Sequence, residues 1–205
     1  APASFFPEMI RKGSPYLHCR LPVHMNEYLR KSSHILFGLL IAGVILFFPA
    51  YHAAMIIGFS LYAGLILIDL CMKDYCIPLI STLIHHMERD GEFPGKGAFF
   101  FVFSALVTLM FFPPVVAAVS VAVLAVLDGF STIIGIRFGK HRIWKKKTLE
   151  GFFGGVIITT ALLLLISPPV YAVLISLVAG LVELISPVDD NLIIPWIVAM
   201  LITLL

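Results

Sequence analysis

Long apolar runs separated by short breakers make up most of this chain. Cutting at turn and breaker residues leaves seven apolar segments, at residues 34–48, 53–72, 97–112, 115–138, 151–166, 170–185 and 192–205. Prolines mark several of the cuts: Pro49, then Pro113 and Pro114, then Pro168 and Pro169. Runs such as 115–127 lack the alternation of a barrel strand, so helices are predicted. Each segment is read as a membrane span, with flanking side chains snorkelling where a run falls short of the roughly 20 residues a crossing needs. A short apolar piece at 77–84 either extends the second span or lies at the interface. The predicted fold is all-α, a polytopic helical bundle of about seven transmembrane helices.

The polar positions are one-sided. Connections at 49–52, 112–114 and 167–169 contain no Asp, Glu, Lys or Arg. The others hold Arg30 and Lys31, the charged residues of 73–96 and of 137–150, then Asp189 and Asp190. If spans alternate in direction, the charges fall on or near one face, and the positive-inside rule makes that face cytoplasmic. The expected topology has a cytoplasmic N-terminus and a C-terminus outside. A solute carrier needs polar groups near the membrane midplane. Asp69, Asp128 and Glu183 instead sit toward the charged ends of their segments. That placement suits an enzyme joining a soluble reagent to a membrane-bound one.

Composition agrees with a membrane setting. The 205 residues are 60% hydrophobic and 13% charged, against about 25% charged in soluble domains. One core covers only about 70% of a chain this size, so the surplus apolar surface faces lipid. A net charge of +2 does not suggest a nucleic-acid partner. Cys19, Cys71 and Cys76 match no common zinc spacing and are read as plain thiols. Residues 1–24 contain Pro, Arg and His rather than a charged start followed by an apolar stretch, so no cleavable signal is predicted. They are read as an extension outside the chemistry, or as an arm on the membrane surface through Phe5, Phe6, Ile10 and Leu17. Residues 25–205 are read as a single transmembrane catalytic domain.

Four clusters could carry chemistry. On a helix Asp128, Thr132, Gly135 and Gly139 share one face, being spaced four, three and four apart. That face reads as a carboxylate for a divalent cation above a smooth strip for a nucleotide, or as close helix packing through small residues. An ionisable group inside a span is expensive, which makes Asp128 itself a functional candidate. The run from Lys140 to Lys147 places six basic side chains in eight residues, an anion site or an anchor to acidic lipids. Lys146, Lys147, Thr148, Leu149, Glu150 and Gly151 lead into a glycine-rich helix start, where free N–H groups can meet a phosphate. No Walker-type phosphate loop occurs. Glu183, Asp189, Asp190 and Asn191 suit a hard cation such as magnesium, or a capped turn in which Asp190 or Asn191 starts the last helix. Arg30, Lys31 and His34 open the first span as a phosphate contact or a positive anchor. His85, His86, Glu88, Arg89 and Asp90 are read as a solvated loop.

In order along the chain, these elements resemble the CTP-dependent lipid-alcohol kinases, the family of dolichol kinase, phytol kinase and the fungal CTP-dependent diacylglycerol kinase. The resemblance rests on Arg30-Lys31-x-x-His34, Asp128-Gly129, Gly135-x-x-Phe138-Gly139-Lys140, the run from Lys146 to Gly151, and Glu183 through Asp189-Asp190-Asn191-Leu192-x-x-Pro195. It covers Met25 to the C-terminus. Phosphatidate cytidylyltransferases share the middle elements but carry Lys-Arg, Lys-Asp and His-Gly-Gly in a C-terminal stretch, and the C-terminal stretch of this chain has none of them. The resemblance implies transfer of the γ-phosphate of CTP to a lipid hydroxyl with Mg2+. It implies Asp128, Glu183, Asp189 and Asp190 at the metal, and Asp128, Glu150, Asp189 and Asp190 in catalysis. Arg30, Lys31, His34, Thr132, Gly135, Gly139, Lys140, Lys146, Lys147, Thr148 and Asn191 would hold the nucleotide. A CDP-lipid synthase and a non-enzymatic transporter or lipid-binding scaffold are the alternatives. Dolichol, shorter polyprenols, geranylgeraniol, phytol and diacylglycerol all stay open as substrate, as do self-association and the host membrane, prokaryotic inner membrane or endoplasmic reticulum.

Overall fold

The computed structural model describes residues 27–73, 95–144 and 147–205. Residues 1–24, Cys19, Cys76, the piece at 77–84, the stretch from His85 to Asp90, and Lys146 lie outside them. Among the described residues there are seven helices and one short hairpin. The helices are α1 (Glu27–Phe47), α2 (Ala50–Met72), α3 (Lys96–Phe111), α4 (Pro114–Phe138), α5 (Leu149–Leu163), α6 (Pro169–Ile185) and α7 (Asp190–Leu204). Strands β1 (Arg142–Trp144) and β2 (Lys147–Thr148) pair antiparallel between α4 and α5.

Local chemistry sets the boundaries. Pro114 and Pro169 open α4 and α6, where a missing N–H and a fixed φ do no harm. Thr148 caps α5, its hydroxyl accepting from the Gly151 N–H at 3.2 Å. Asp189 caps α7, accepting from the Asn191 N–H at 3.2 Å. Gly95, before α3, has a φ of 70°, which favours glycine. Pro195 removes the bond that its N–H would make to the Asn191 carbonyl, and the Ser104 hydroxyl donates to the neighbouring Leu192 carbonyl at 3.3 Å.

The expectation of about seven spans fails on length. Among the described residues, three helical stretches are long and apolar enough to cross a membrane: Glu27–Phe47, Ala50–Leu70 and Pro114–Phe138. The other four helices have 15 to 17 residues. At 1.5 Å per residue these reach about 22–26 Å, short of a hydrocarbon core about 30 Å thick. The topology inferred from seven alternating crossings, with a cytoplasmic N-terminus and a C-terminus outside, therefore no longer follows. The chain is membrane-associated, and its described residues form three helices able to span a bilayer and four shorter apolar helices packed with them.

Helix α4 is the centre of the packing. Its most apolar window is 56% buried, against 22% for α1 and 17% for α2. Val121, Val123, Leu124 and Leu127 are fully buried there, with Ile45 of α1 and Ile194 and Val198 of α7 in the same core. Helices α1, α5 and α7 pack on α4; α2 packs on α3, and α6 on α5 and α7. Lipid offers apolar side chains no gain over one another, so contact between such helices depends on close approach through small residues. Gly38 faces Ala125, and Gly129 faces Ile35. Gly151 lies against Ser131 and Gly135, and Gly155 against Ser131 and Leu127. Facing outward are Phe47, Tyr51, Phe59, Tyr62, Phe111 and Leu165, the apolar surface expected of a protein in lipid.

Candidate functional site

The charged side chains stand at the starts of α1, α3, α5 and α7 and at the ends of α2, α4 and α6. Contacts between these elements gather them at one end of the bundle. Lys31 of α1 donates to both oxygens of Asp128 on α4, at 2.6 and 2.5 Å, and both residues are buried. His34, one turn further along α1, brings Nε2 to 3.4 Å from Asp128 Oδ2, without a hydrogen bond. Its ring stands edge-on to Phe101 of α3 at 4.8 Å.

Glu183 enters from the end of α6. Its Oε1 accepts from the buried Ser131 hydroxyl at 2.7 Å and from Lys147 Nζ at 3.1 Å. Lys147 also donates to the Glu183 carbonyl and lies 3.5 Å from Asp190 Oδ2. Burial works against the Lys147 charge, but Glu183 and Asp190 more than offset it and hold the ammonium above the ordinary lysine range. Asp128, Glu183 and Asp190 each offer a ligand atom, and these atoms lie within 4.8 Å of one another. Opposite oxygens around a magnesium ion with bonds near 2.1 Å are about 4.2 Å apart. An all-oxygen set at this separation, with one more carboxylate than lysine, could hold a divalent cation after a small contraction.

The other predicted residues are distributed differently. Asp189 caps α7 and is not one of the three convergent carboxylates; burial, then its neighbour Asp190, raises its pKa. Asn191 is buried and donates from Nδ2 to the Gly97 carbonyl at 3.5 Å, while its Oδ1 has no hydrogen-bond partner among the described residues. Glu150 accepts from the His141 backbone N–H at 3.2 Å and pairs with His141 Nδ1 at 2.7 Å. That pairing, foremost the side-chain bond, lowers its pKa to about 2. Arg30 turns to Glu27, 2.7 Å away. Thr132 is half-buried on α4 and Lys140 is exposed.

A Cβ on Gly135 would meet Thr148 Oγ1 at 2.9 Å, and one on Gly139 would meet Thr148 Cγ2 at 2.6 Å. The small strip of α4 thus receives the capping Thr148 and the start of α5. Two residues absent from the predicted site belong beside it. Ser131 follows Asp128 by three positions and therefore shares its face. Trp144 lines, with Lys96, Lys147, Glu183, Asp189 and Asp190, an open cleft of about 260 Å3 at the cluster's edge.

No family model matches the chain, and no solved structure does. An uncharacterized protein of Methanocaldococcus jannaschii, MJ1137, is 37% identical over 183 residues, covering 87% of this chain and 93% of that protein. At that identity and coverage the chain belongs to the same family as the Methanocaldococcus jannaschii protein.

Proposed function

We propose that the chain is a membrane-embedded kinase that transfers the γ-phosphate of CTP to the hydroxyl of a lipid alcohol, a polyprenol, phytol-type or diacylglycerol substrate. The observation that carries this reading is the convergence of Asp128, Glu183 and Asp190 from three helices, with Lys31 paired to Asp128 and Lys147 between Glu183 and Asp190. Phosphoryl transfer asks for positioning and charge neutralisation more than covalent chemistry, and this is an arrangement of paired charges beside an open cleft. The motif order that resembles the lipid-alcohol kinases supports the same chemistry.

Asp128, Glu183 and Asp190 would hold a divalent cation, which when bound neutralises phosphate charge. Lys147, already beside the cleft, meets the phosphates, with Lys140 and Lys146 adding attraction from the basic run. The lipid hydroxyl approaches from the apolar bundle. Its oxygen forms the new P–O bond as the bond between the β–γ bridging oxygen and the γ-phosphorus breaks, CDP leaves, and the hydroxyl proton passes to Asp128, which Lys31 orients. The basic run is consistent with a site on the cytoplasmic face.

The test is a transfer assay on purified protein in detergent with magnesium, γ-labelled CTP or ATP, and a panel of lipid alcohols. Label in a lipid phosphate from CTP is the expected result. Label entering a lipid only from α-labelled CTP, with lipid phosphate as acceptor, would replace the kinase by a CDP-lipid synthase. Absence of transfer and of nucleotide binding would exclude both.

A further inference from the structure

Among the described residues lining the cleft at the cluster's edge, one is aromatic, Trp144. We infer that Trp144 is the stacking platform for the base of a nucleoside triphosphate whose phosphates extend toward Lys147 and the carboxylates; this rests on the phosphotransfer reading above.

Three features place the ring for that task. Trp144 on β1 pairs with Lys147 on β2, beyond a register irregularity between Arg142 and Trp144, and both residues line the same cleft. The indole and the ammonium therefore enter the cleft side by side, and a ligand spanning them has its aromatic end on one and its anionic end on the other. The hairpin is also anchored: Leu149 N–H donates to the His141 carbonyl at 2.8 Å, and Lys147 is bonded to Glu183 on α6. The ring is thus carried on a braced strand. Finally, Trp144 is 58% exposed, with no other ring packed on it among the described residues.

A tryptophan facing lipid could instead be an interfacial anchor. The cleft argues for the nucleotide, because Trp144 shares it with Lys96, Lys147, Glu183, Asp189 and Asp190, charged groups that suit a polar ligand. A base presents a flat π-face, and stacking on an aromatic side chain is tolerant of base identity. The platform therefore holds the base in place without choosing between cytosine and adenine.

The chain has two tryptophans, which makes the proposal directly measurable. Trp196 packs against Phe111 and Phe112, with centroids 5.4 and 5.5 Å away, and does not line the cleft. In a Trp196→Phe protein, Trp144 emission is followed during titration with CTP, ATP and inorganic tripolyphosphate, each with magnesium. Both nucleotides should quench it saturably; tripolyphosphate should compete without quenching. Trp144→Ala should raise the nucleotide KM about tenfold with kcat nearly unchanged, and Trp144→Phe should restore most of the loss. Unquenched emission with an unchanged KM in an active enzyme overturns the platform and leaves the kinase standing. Quenching by brominated lipid but not by nucleotide makes Trp144 an anchor and overturns it too. If neither nucleotide nor tripolyphosphate binds and no phosphate is transferred, the kinase reading falls and the platform with it.

Discussion

Lys31 and Asp128, 97 residues apart in sequence, form a buried two-pronged ion pair, with the ammonium 2.6 and 2.5 Å from the two carboxylate oxygens. Neither side chain is more than 7% exposed, so each neutralises a charge that the surrounding apolar helices cannot solvate. Lys31→Met or Asp128→Asn alone should cost about 3–5 kcal/mol, since either strands one buried charge. The double variant Lys31→Met with Asp128→Leu should regain most of that stability while remaining inactive in the transfer assay. Thermal unfolding in detergent measures the first effect. A Lys31→Met protein as stable as wild type would mean that the pair does not form.

How much of this was legible in the sequence depends on the distance over which each feature is decided. Pro114 and Pro169 mark helix starts because proline acts on its own turn. The expected number of spans was too high because snorkelling side chains were allowed to make up for short runs: the segment 170–185 already falls short of the roughly 20 residues a crossing needs, and the helix Pro169–Ile185 reaches only 17. Asp128, Glu183 and Asp190 stood out as ionisable groups in or beside apolar runs. Asp189 and Asp190 could not be told apart, since capping and convergence with the other carboxylates differ by one position on the turn. The partner of Lys31 and the entry of Trp144 into the cleft are tertiary facts, set by the α1–α4 contact and by hairpin register.

The crossing of α4 and α5 should tolerate no side chain at Gly151. A Cβ there would lie 2.5 Å from the Ser131 carbonyl and 3.1 Å from Gly135 Cα, and both neighbours are backbone atoms that cannot swing away. Gly151→Ala should destabilise by about 1–3 kcal/mol, the range for overpacking. Gly43→Ala, on the same scale, should be neutral or stabilising by about 0.5–1 kcal/mol, because nothing lies within 4 Å and alanine favours the helix. Equal unfolding temperatures for the two variants would contradict the packing described for α4 and α5.

The pairing of Glu150 with His141 should give a pH signature. Its pKa is lowered from 4.5 to about 2, first by the His141 side-chain bond. A depressed folded-state pKa contributes stability above the unfolded value, and that stability is lost as pH falls toward the folded value. The difference in unfolding temperature between wild type and Glu150→Gln should therefore be present at neutral pH and shrink between pH 4.5 and about 2. A difference constant across that window would show that the carboxylate charge is not what Glu150 contributes.

Divalent cations should stabilise the protein through three carboxylates and not through the fourth. Asp128, Glu183 and Asp190 converge, whereas Asp189 is occupied at the start of α7 as its cap. A cation bound to the folded state at 100 times its Kd adds about 2.7 kcal/mol, a rise in unfolding temperature of roughly 5–10 °C for a chain of this size. Asp190→Asn and Glu183→Gln should each abolish the rise produced by magnesium or manganese, with chelator reversing it in wild type. Asp189→Asn should keep it, since asparagine caps a helix as well as aspartate does. A magnesium-dependent rise that survives Asp190→Asn but disappears in Asp189→Asn would move the cation to the outer edge of the cleft. The three convergent carboxylates would then be a charge-pairing cluster for Lys31 and Lys147.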